Sequence, residues 1–250
     1  MAFAEKSGVS VLVLTDHDSV SGFAEAQAAA FGRPLQVFCG VEINTCAGDN
    51  VHILGYGIRR TDKVLLEKLA EFRERRVQRV RRILETLRGL GVELAFDEIR
   101  RRSPESLGRA HIADALKRQG LVHKRSEAFR RFLAPGQPAY VPSLGPTAEE
   151  AIALIRQAGG FAVAAHPATV PDAAGIETWV KQGLEGLEAH YGMHSPSNIV
   201  RFREMAEHWG LLVTGGSDYH GKGSGRESPL GVELPDEDAQ RFLKRLQRCS

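Results

Sequence analysis

The sequence predicts an α/β protein with a mainly parallel sheet, either closed as a barrel or doubly wound, and three observations carry that reading. Six short runs, VSVLVLTDHD, LQVFCGVEIN, NVHILGYG, GFAVAAHP, GLEGLEAHY and GLLVTGGSDYH, are continuously apolar until they end in polar residues or glycine. Unbroken apolar runs of this length are the pattern of strands covered on both faces, as in parallel sheets. Helical segments lie between several of the runs, giving the strand–helix alternation of α/β folds.

Taken in order, the first strand ends at TDHD (residues 15–18), and SVSGFAEAQAAAFG follows as a helix with Asp18 as a candidate cap. Two further strands follow, the second opening on His52. Residues 61–102 read as helix, with Leu65, Leu66, Leu69, Phe72, Val77, Val80, Ile83, Leu84 and Leu87 at spacings of mostly three or four. GRAHIADALKRQG and EAFRRFL add shorter helices, and APGQPAYVPSLGP is the connector that closes this segment. Thr147, with Glu150 three residues on, is a capping box for TAEEAIALIRQAGG. SPSNIVRFREMAEHWG is a helix before the last strand, and LPDEDAQRFLKRLQRCS closes the chain as another.

Charge divides the chain along the same lines. Residues 59–140 hold 21 Lys+Arg against 11 Asp+Glu, whereas the remainder holds 12 against 20. The expected organisation is therefore a discontinuous body, 1–60 with 143–250, carrying a basic helical insertion over 61–142 that attracts phosphate-bearing ligands. No apolar stretch approaches the roughly 20 residues that span a bilayer. MAFAEKSG is too short and mixed for a secretory signal. Three cysteines without ligand spacing point to a reducing compartment, so the expected location is cytoplasmic. There is no zinc-finger spacing and no RNP-like aromatic motif, and no obligate protein partner is evident.

The chemistry gathers where the apolar runs end. Asp16, His17, Asp18, Glu42, His166, His190, Asp218 and His220 all sit at the carboxyl ends of proposed strands, and His52 sits at the start of its own. In a parallel α/β barrel those ends converge on one cleft. Imidazoles mixed with carboxylates are a ligand set for Mn, Fe or Zn. Singly, each residue has an ordinary explanation as a turn former, a cap or a hydrogen-bonded core histidine. Joint placement is what favours a metal site.

TDHD after a strand, GVEI, VHILGYG, AAHP and GGSDYHG occur in this order in the PHP (polymerase and histidinol phosphatase) family, and the sequence resembles that family over nearly its whole length. GRAHIADAL is similar to the subgroup acting on nucleoside 3′,5′-bisphosphates and the 5′ ends of short RNAs. The resemblance implies a distorted (β/α)7 barrel, up to three divalent metal ions, and hydrolysis of nucleotide phosphate esters. It implies Glu42 as a bridging carboxylate, His52 and His166 on a second metal, Asp218 on a first, and His17 and His220 on a third. Arg109, His111 and His194 resemble the phosphate-contacting residues, with Arg109 forking onto the non-reacting phosphate and His194 or His220 protonating the leaving oxygen. The expected partner is a nucleotide or short single-stranded RNA.

One departure stands out. The family opens with a strand ending in H-x-H, and this sequence has no H-x-H. The expectation is that Met1 is an internal methionine or that the chain is trimmed, with the first barrel strand missing, VSVLVL left as an edge, and fewer metals bound. The alternatives are a catalytically impaired phosphate- or RNA-binding protein and a small-metabolite phosphatase such as one for histidinol phosphate.

Overall fold

The computed structural model describes residues 1–102, 106–170, 172–221 and 229–249. The chain forms two compact units, Met1–Glu67 with Pro146–Ser250, and Lys68–Gly145. The first unit holds a six-stranded sheet: β1 (Val11–Leu14), β2 (Gln36–Asn44), β3 (His52–Tyr56), β4 (Phe161–Ala164), β5 (Leu184–Tyr191) and β6 (Leu212–Gly216), neighbours in that order. Its helices are α1 (Ala2–Lys6) and α2 (Phe23–Ala30), then α3 (Lys63–Gly89), which runs on into the second unit. That second unit adds α4 (Phe96–Arg102), α5 (Arg109–Arg118) and α6 (Arg125–Ala128), the last continuing as a π-helical turn over Phe129–Leu133. Back in the first unit are α7 (Ala148–Gln157), α8 (Ala173–Lys181), α9 (Pro196–His208) and α10 (Asp236–Gln247). No described helix is long and apolar enough to cross a membrane.

The sheet is mixed, not uniformly parallel. β1–β2, β4–β5 and β5–β6 are parallel, but β3 is antiparallel to both β2 and β4. The reason is chain length. A parallel return needs a crossover of about a dozen residues or more, whereas β2 and β3 are joined by a short loop. Thr45 clamps that loop, its amide (3.1 Å) and hydroxyl (2.7 Å) both donating to Val51 O. Reversal brings the start of β3 to the carboxyl ends of its neighbours: His52 pairs with Asn44, and Ile53 with Ala164.

One face of the sheet curls around a core. Val13, Phe38, Leu54, Tyr56, Phe161, Val163 and Leu212 pack together with Phe242 and Leu246 of α10. The Phe242 ring meets Tyr56 at 5.3 Å and Phe161 at 6.0 Å, so α10 plugs the end of the curl opposite His52. At the histidine end the outer strands approach each other, with His17 5.9 Å from His220 between ring centroids. β1 pairs only with β2 among the described residues and is half-buried throughout, whereas β3 and β4 are buried at every position.

Local signals account for the helices. Thr147 Oγ1 accepts the Glu150 amide and Glu150 Oε2 accepts the Thr147 amide, the reciprocal box that starts α7. Ser195 caps α9, with Pro196 at its first position. Residues 61–102 are not one helix. α3 stops at Gly89, Gly91 adopts φ 79°, and α4 restarts at Phe96. Nor does Asp18 cap α2, which begins five residues later at Phe23.

The second unit has its own core, built from Val80, Ile83, Leu87, Ile99, Ile112, Leu116 and Leu133 among others. Arginines tie its loops down. Arg76 donates to Leu107 O (2.6 Å), Arg79 to Val141 O (2.8 Å), Arg109 to Leu133 O (3.1 Å), and Arg125 pairs with Asp114.

Phe242→Ala, which opens a cavity beneath Tyr56 and Phe161, is expected to lower the unfolding free energy by about 3–5 kcal/mol in urea. Thr147→Ala removes only a cap and should cost about 1 kcal/mol in the same measurement.

Candidate metal centre

Glu42 is the hub. It lies on the inner face of β2, two residues beyond Gly40, and is buried. An isolated bridge past the end of β1 sets His17 against it, as the Asp18 amide donates to Glu42 O (3.0 Å) and the Glu42 amide to Asp16 O (3.1 Å). Three imidazoles surround the carboxylate. His52 Nδ1 lies 2.6 Å from Oε1, His166 Nε2 3.3 Å from Oε1, and His17 Nδ1 3.3 Å from Oε2. One ligand atom each from His17, Glu42 and His52 all fall within 4.8 Å of one another, a grouping that could hold a metal ion.

The neighbours of these groups orient them. The Thr169 hydroxyl donates to Asn50 O (2.6 Å) and faces His166 Nδ1 (3.1 Å). Its proton being spent, it accepts from Nδ1–H, and the Nε2 lone pair of His166 is left pointing at Glu42. Two acceptors then face each other across 3.3 Å, a geometry that calls for a cation between them. A proton can serve, and so can a divalent ion, so the residues present fit a metal. The side chain of Asn44 donates to Asp18 (3.2 Å) and lies 3.1 Å from His17 Nδ1. Asp18 is therefore a support for β2 and His17, not a helix cap.

Backbone strain marks the same place. The only described non-glycine residues with positive φ are Asp18 (52°), His166 (28°) and Asp218 (49°). Each such residue costs about 1–3 kcal/mol and persists only where its surroundings enforce it. For His166 the enforcing group is Glu188, a buried carboxylate on β5 that accepts the His166 amide at 2.7 Å. Gly216 makes room for it, since a Cβ there would stand 2.2 Å from the Glu188 carboxylate.

The remaining predicted residues fall into three groups. Asp218 and His220 follow β6. His220 Nδ1 lies 2.7 Å from Asp218 O and 3.3 Å from Oδ1. His220, His17, His52, His166, Tyr191 and His194 form an arc of rings with successive centroids 5.9, 5.3, 5.0, 5.4 and 5.1 Å apart. His194 is thus joined to the cluster through Tyr191. Its Nδ1 donates to Ala189 O (2.9 Å), leaving Nε2 buried with no hydrogen-bond partner among the described residues. His190, expected at this end, is turned away. A register shift between Glu188 and His190 directs Tyr191 inward, and the charged neighbours of His190 are Arg203 and Asp238. Arg109 and His111 belong to the second unit. There Arg109 lies over the Phe129 ring (5.4 Å) and His111 Nδ1 accepts the Gly108 amide (3.1 Å).

Sequence reasoning missed Glu188, Tyr191, Asn44 and Thr169. A glutamate inside the apolar run GLEGLEAHY was the available signal for Glu188, because a charge in a covered strand needs a partner. The Tyr191 hydroxyl donates to Asp218 Oδ2 at 3.0 Å, a contact across 27 residues that no local pattern announces.

Burial opposes ionisation of Glu42, but the His17 and His52 charges and hydrogen bonds from His166 and His52 outweigh it and hold the carboxyl well below its usual range. Glu188 goes the other way. Burial, reinforced by Glu42 and Asp218, pushes it up to about 7 despite His166. For His166, burial is overcome by Glu42, and the net direction is upward. Burial and the nearby His166 push His194 down, toward the neutral imidazole.

A buried carboxylate ringed by imidazoles at the ends of a curled α/β sheet is the arrangement of a metal-binding α/β protein. No family model matches the chain. It is 36% identical over 224 residues to the 3′,5′-nucleoside bisphosphate phosphatase of Chromobacterium violaceum, covering 86% of this chain and 78% of that protein. It is 31% identical to the 5′-3′ exoribonuclease Rnm of Escherichia coli, over 85% of this chain and 75% of the relative. A solved structure described as a metal-dependent phosphoesterase from Bifidobacterium adolescentis superposes with a TM-score of 0.85 at 30% identity, covering 97% of this chain and 88% of that one. The chain belongs to the phosphoesterase family of the Chromobacterium enzyme and is a phosphoric ester hydrolase, in keeping with its PHP-like motifs.

The shift of Glu188 has a measurable consequence in chelator-treated protein. Its folded pKa lies above the unfolded one, so its stabilising contribution is full below about 4.5 and is lost as pH rises toward 7. Glu188→Gln keeps an acceptor for the His166 amide and does not titrate. Urea melts at about pH 5 and about pH 8 should show wild type losing on the order of 2–3 kcal/mol more than the variant. Equal pH slopes would contradict the assignment.

Proposed function

We propose that this chain hydrolyses phosphate esters of nucleotides, with nucleoside 3′,5′-bisphosphates and the 5′ ends of short RNAs as its substrates. The observation that carries this reading is the clasp of Glu42 by His17, His52 and His166, in a family whose curated members act on such esters. Glu42, His17, His52, His166, Asp218 and His220 would hold divalent Mn, Fe or Zn. Bound ions would supply Lewis-acid polarisation of the phosphoryl group.

The chain's own groups divide the remaining work. Glu188 and Thr169 fix the backbone and tautomer of His166, and Tyr191 orients Asp218. His194 is held neutral with a free Nε2 lone pair, which suits it to accept a hydrogen bond from water or a substrate hydroxyl. His220, whose Nδ1 donates to Asp218 O, offers its Nε2 lone pair to a metal and has no proton to give. With His194 disfavoured as an imidazolium, the leaving oxygen takes its proton from solvent water in this scheme. Arg109, which donates to Leu133 O, is the residue this scheme assigns to the non-reacting phosphate, because a planar guanidinium can fork onto two of its oxygens. His111 accepts at Nδ1, so its proton sits on Nε2, ready for a phosphate oxygen.

Glu42→Ala and His166→Ala should each lower bound metal, read by elemental analysis, and reduce phosphatase rate by about 100-fold or more. Wild-type metal content and rate in both would overturn the assignment. Arg109→Ala should depress kcat/KM for a nucleoside 3′,5′-bisphosphate by about tenfold more than for the matching monophosphate. Equal losses on the two substrates would remove Arg109 from contact with the second phosphate.

A further inference from the structure

The second unit contains a cavity of about 520 Å³, and none of its lining residues belongs to the centre described above. Its floor is the outer surface of that unit's core, with Leu94, Ile99 and Ala115 all buried. Arg101 and Arg102 at the end of α4 and Arg118 at the end of α5 line the same cavity, with Glu98 the only acid in its lining among the described residues.

These arginines differ from the rest of the unit. Arg75, Arg76, Arg79, Arg109, Arg125 and Arg131 each donate to a carbonyl or carboxylate. Arg102 and Arg118 have no side-chain hydrogen bond or ion pair to any described residue, and Arg101 has only a 3.3 Å bond to Asp97 O within its own helix. Gathering like charges without partners costs free energy that structural arginines avoid by pairing. The volume lies in the range of small-ligand pockets. Guanidinium planes stack on bases and fork onto phosphates, and an apolar floor suits a base better than a bare anion.

We propose that this cavity binds one nucleotide of a single-stranded RNA, its phosphate on Arg102 and Arg118 and its base against Leu94 and Ala95. It is an accessory strand site, apart from the phosphoester chemistry. The proposal rests on the nucleotide reading of the metal centre, yet the two can fail separately. Strand binding needs no turnover, and hydrolysis of a nucleoside bisphosphate by the wild-type chain does not need this cavity.

The test is fluorescence anisotropy of a labelled, 5′-phosphorylated oligouridylate on the full chain, with chelator present so that the strand survives. Arg102→Glu with Arg118→Glu should weaken binding about tenfold or more, and lower the slope of log affinity against log salt by about 1.4, two contacts at ~0.7 each. The charge-matched pair Arg82→Glu with Arg88→Glu, on α3, should weaken it by about threefold or less through the general field. Arg102→Lys with Arg118→Lys keeps the charge, loses fork and stacking plane, and should fall in between. Equal weakening by both reversal pairs, wild-type affinity in the lysine pair, or equally tight binding of an oligoglutamate of matched charge would each overturn the strand site.

Discussion

The structure turns on one buried carboxylate. Glu42 sits in low-dielectric surroundings where an unpaired charge is prohibitively costly, so it must be compensated on every side that faces it. His17, His52 and His166 supply that compensation from β1's extension, β3 and the loop after β4, three segments that have no contact in sequence. The need to bring three imidazoles to one acid fixes the ends of four neighbouring strands relative to one another. It also explains why strained residues collect here. Positive φ at His166 accompanies a side chain turned to Glu42, while at Asp18 and Asp218 it accompanies carboxylates that hold Asn44 and Tyr191 around the hub.

Around that hub lies a second layer of opposite electrostatic character. Glu42 is driven toward ionisation by cationic neighbours, whereas Glu188, three strands along the sheet on β5, is driven toward the protonated form by burial and by the negative groups beside it. Two glutamates on the inner face of one sheet thus serve different ends. Glu42 gathers positive charge, and Glu188 holds a backbone amide. Thr169, Asn44 and Tyr191 complete the layer by fixing which ring nitrogen or carboxylate oxygen is turned inward. Orientation of this kind is what separates a cluster of ligand-type residues from a site that can hold an ion.

The two units divide labour by charge. Residues Lys68–Gly145 carry 18 Lys+Arg against 9 Asp+Glu, and the arginines there fall into two sets. One set stitches loops together through backbone carbonyls, where a planar fork substitutes for missing secondary structure. The other set, Arg102 and Arg118, stands without described partners beside a cavity lined by both apolar and charged residues. Net basicity alone would not distinguish them.

The sequence by itself determined the parts. Apolar runs located all six strands, Thr147 with Glu150 announced its cap, and His17, Glu42, His52 and His166 were each identifiable as candidates because their residue types suit a metal. Periodicity also found the face of α3, though not the break at Gly91, since a glycine in a helical pattern is ambiguous until its φ is known. Direction and register were decided only in three dimensions. The sheet was expected to be mainly parallel, and β3 runs the other way because its connection is too short for a crossover. That reversal is what delivers His52 to the site from the start of its strand. His190 and Tyr191 exchanged places through a one-residue register shift, which a period-two pattern cannot reveal. Glu188 and Tyr191 acquired their roles from partners 22 and 27 residues away, because a buried polar group is defined by what it faces and not by its neighbours in the chain.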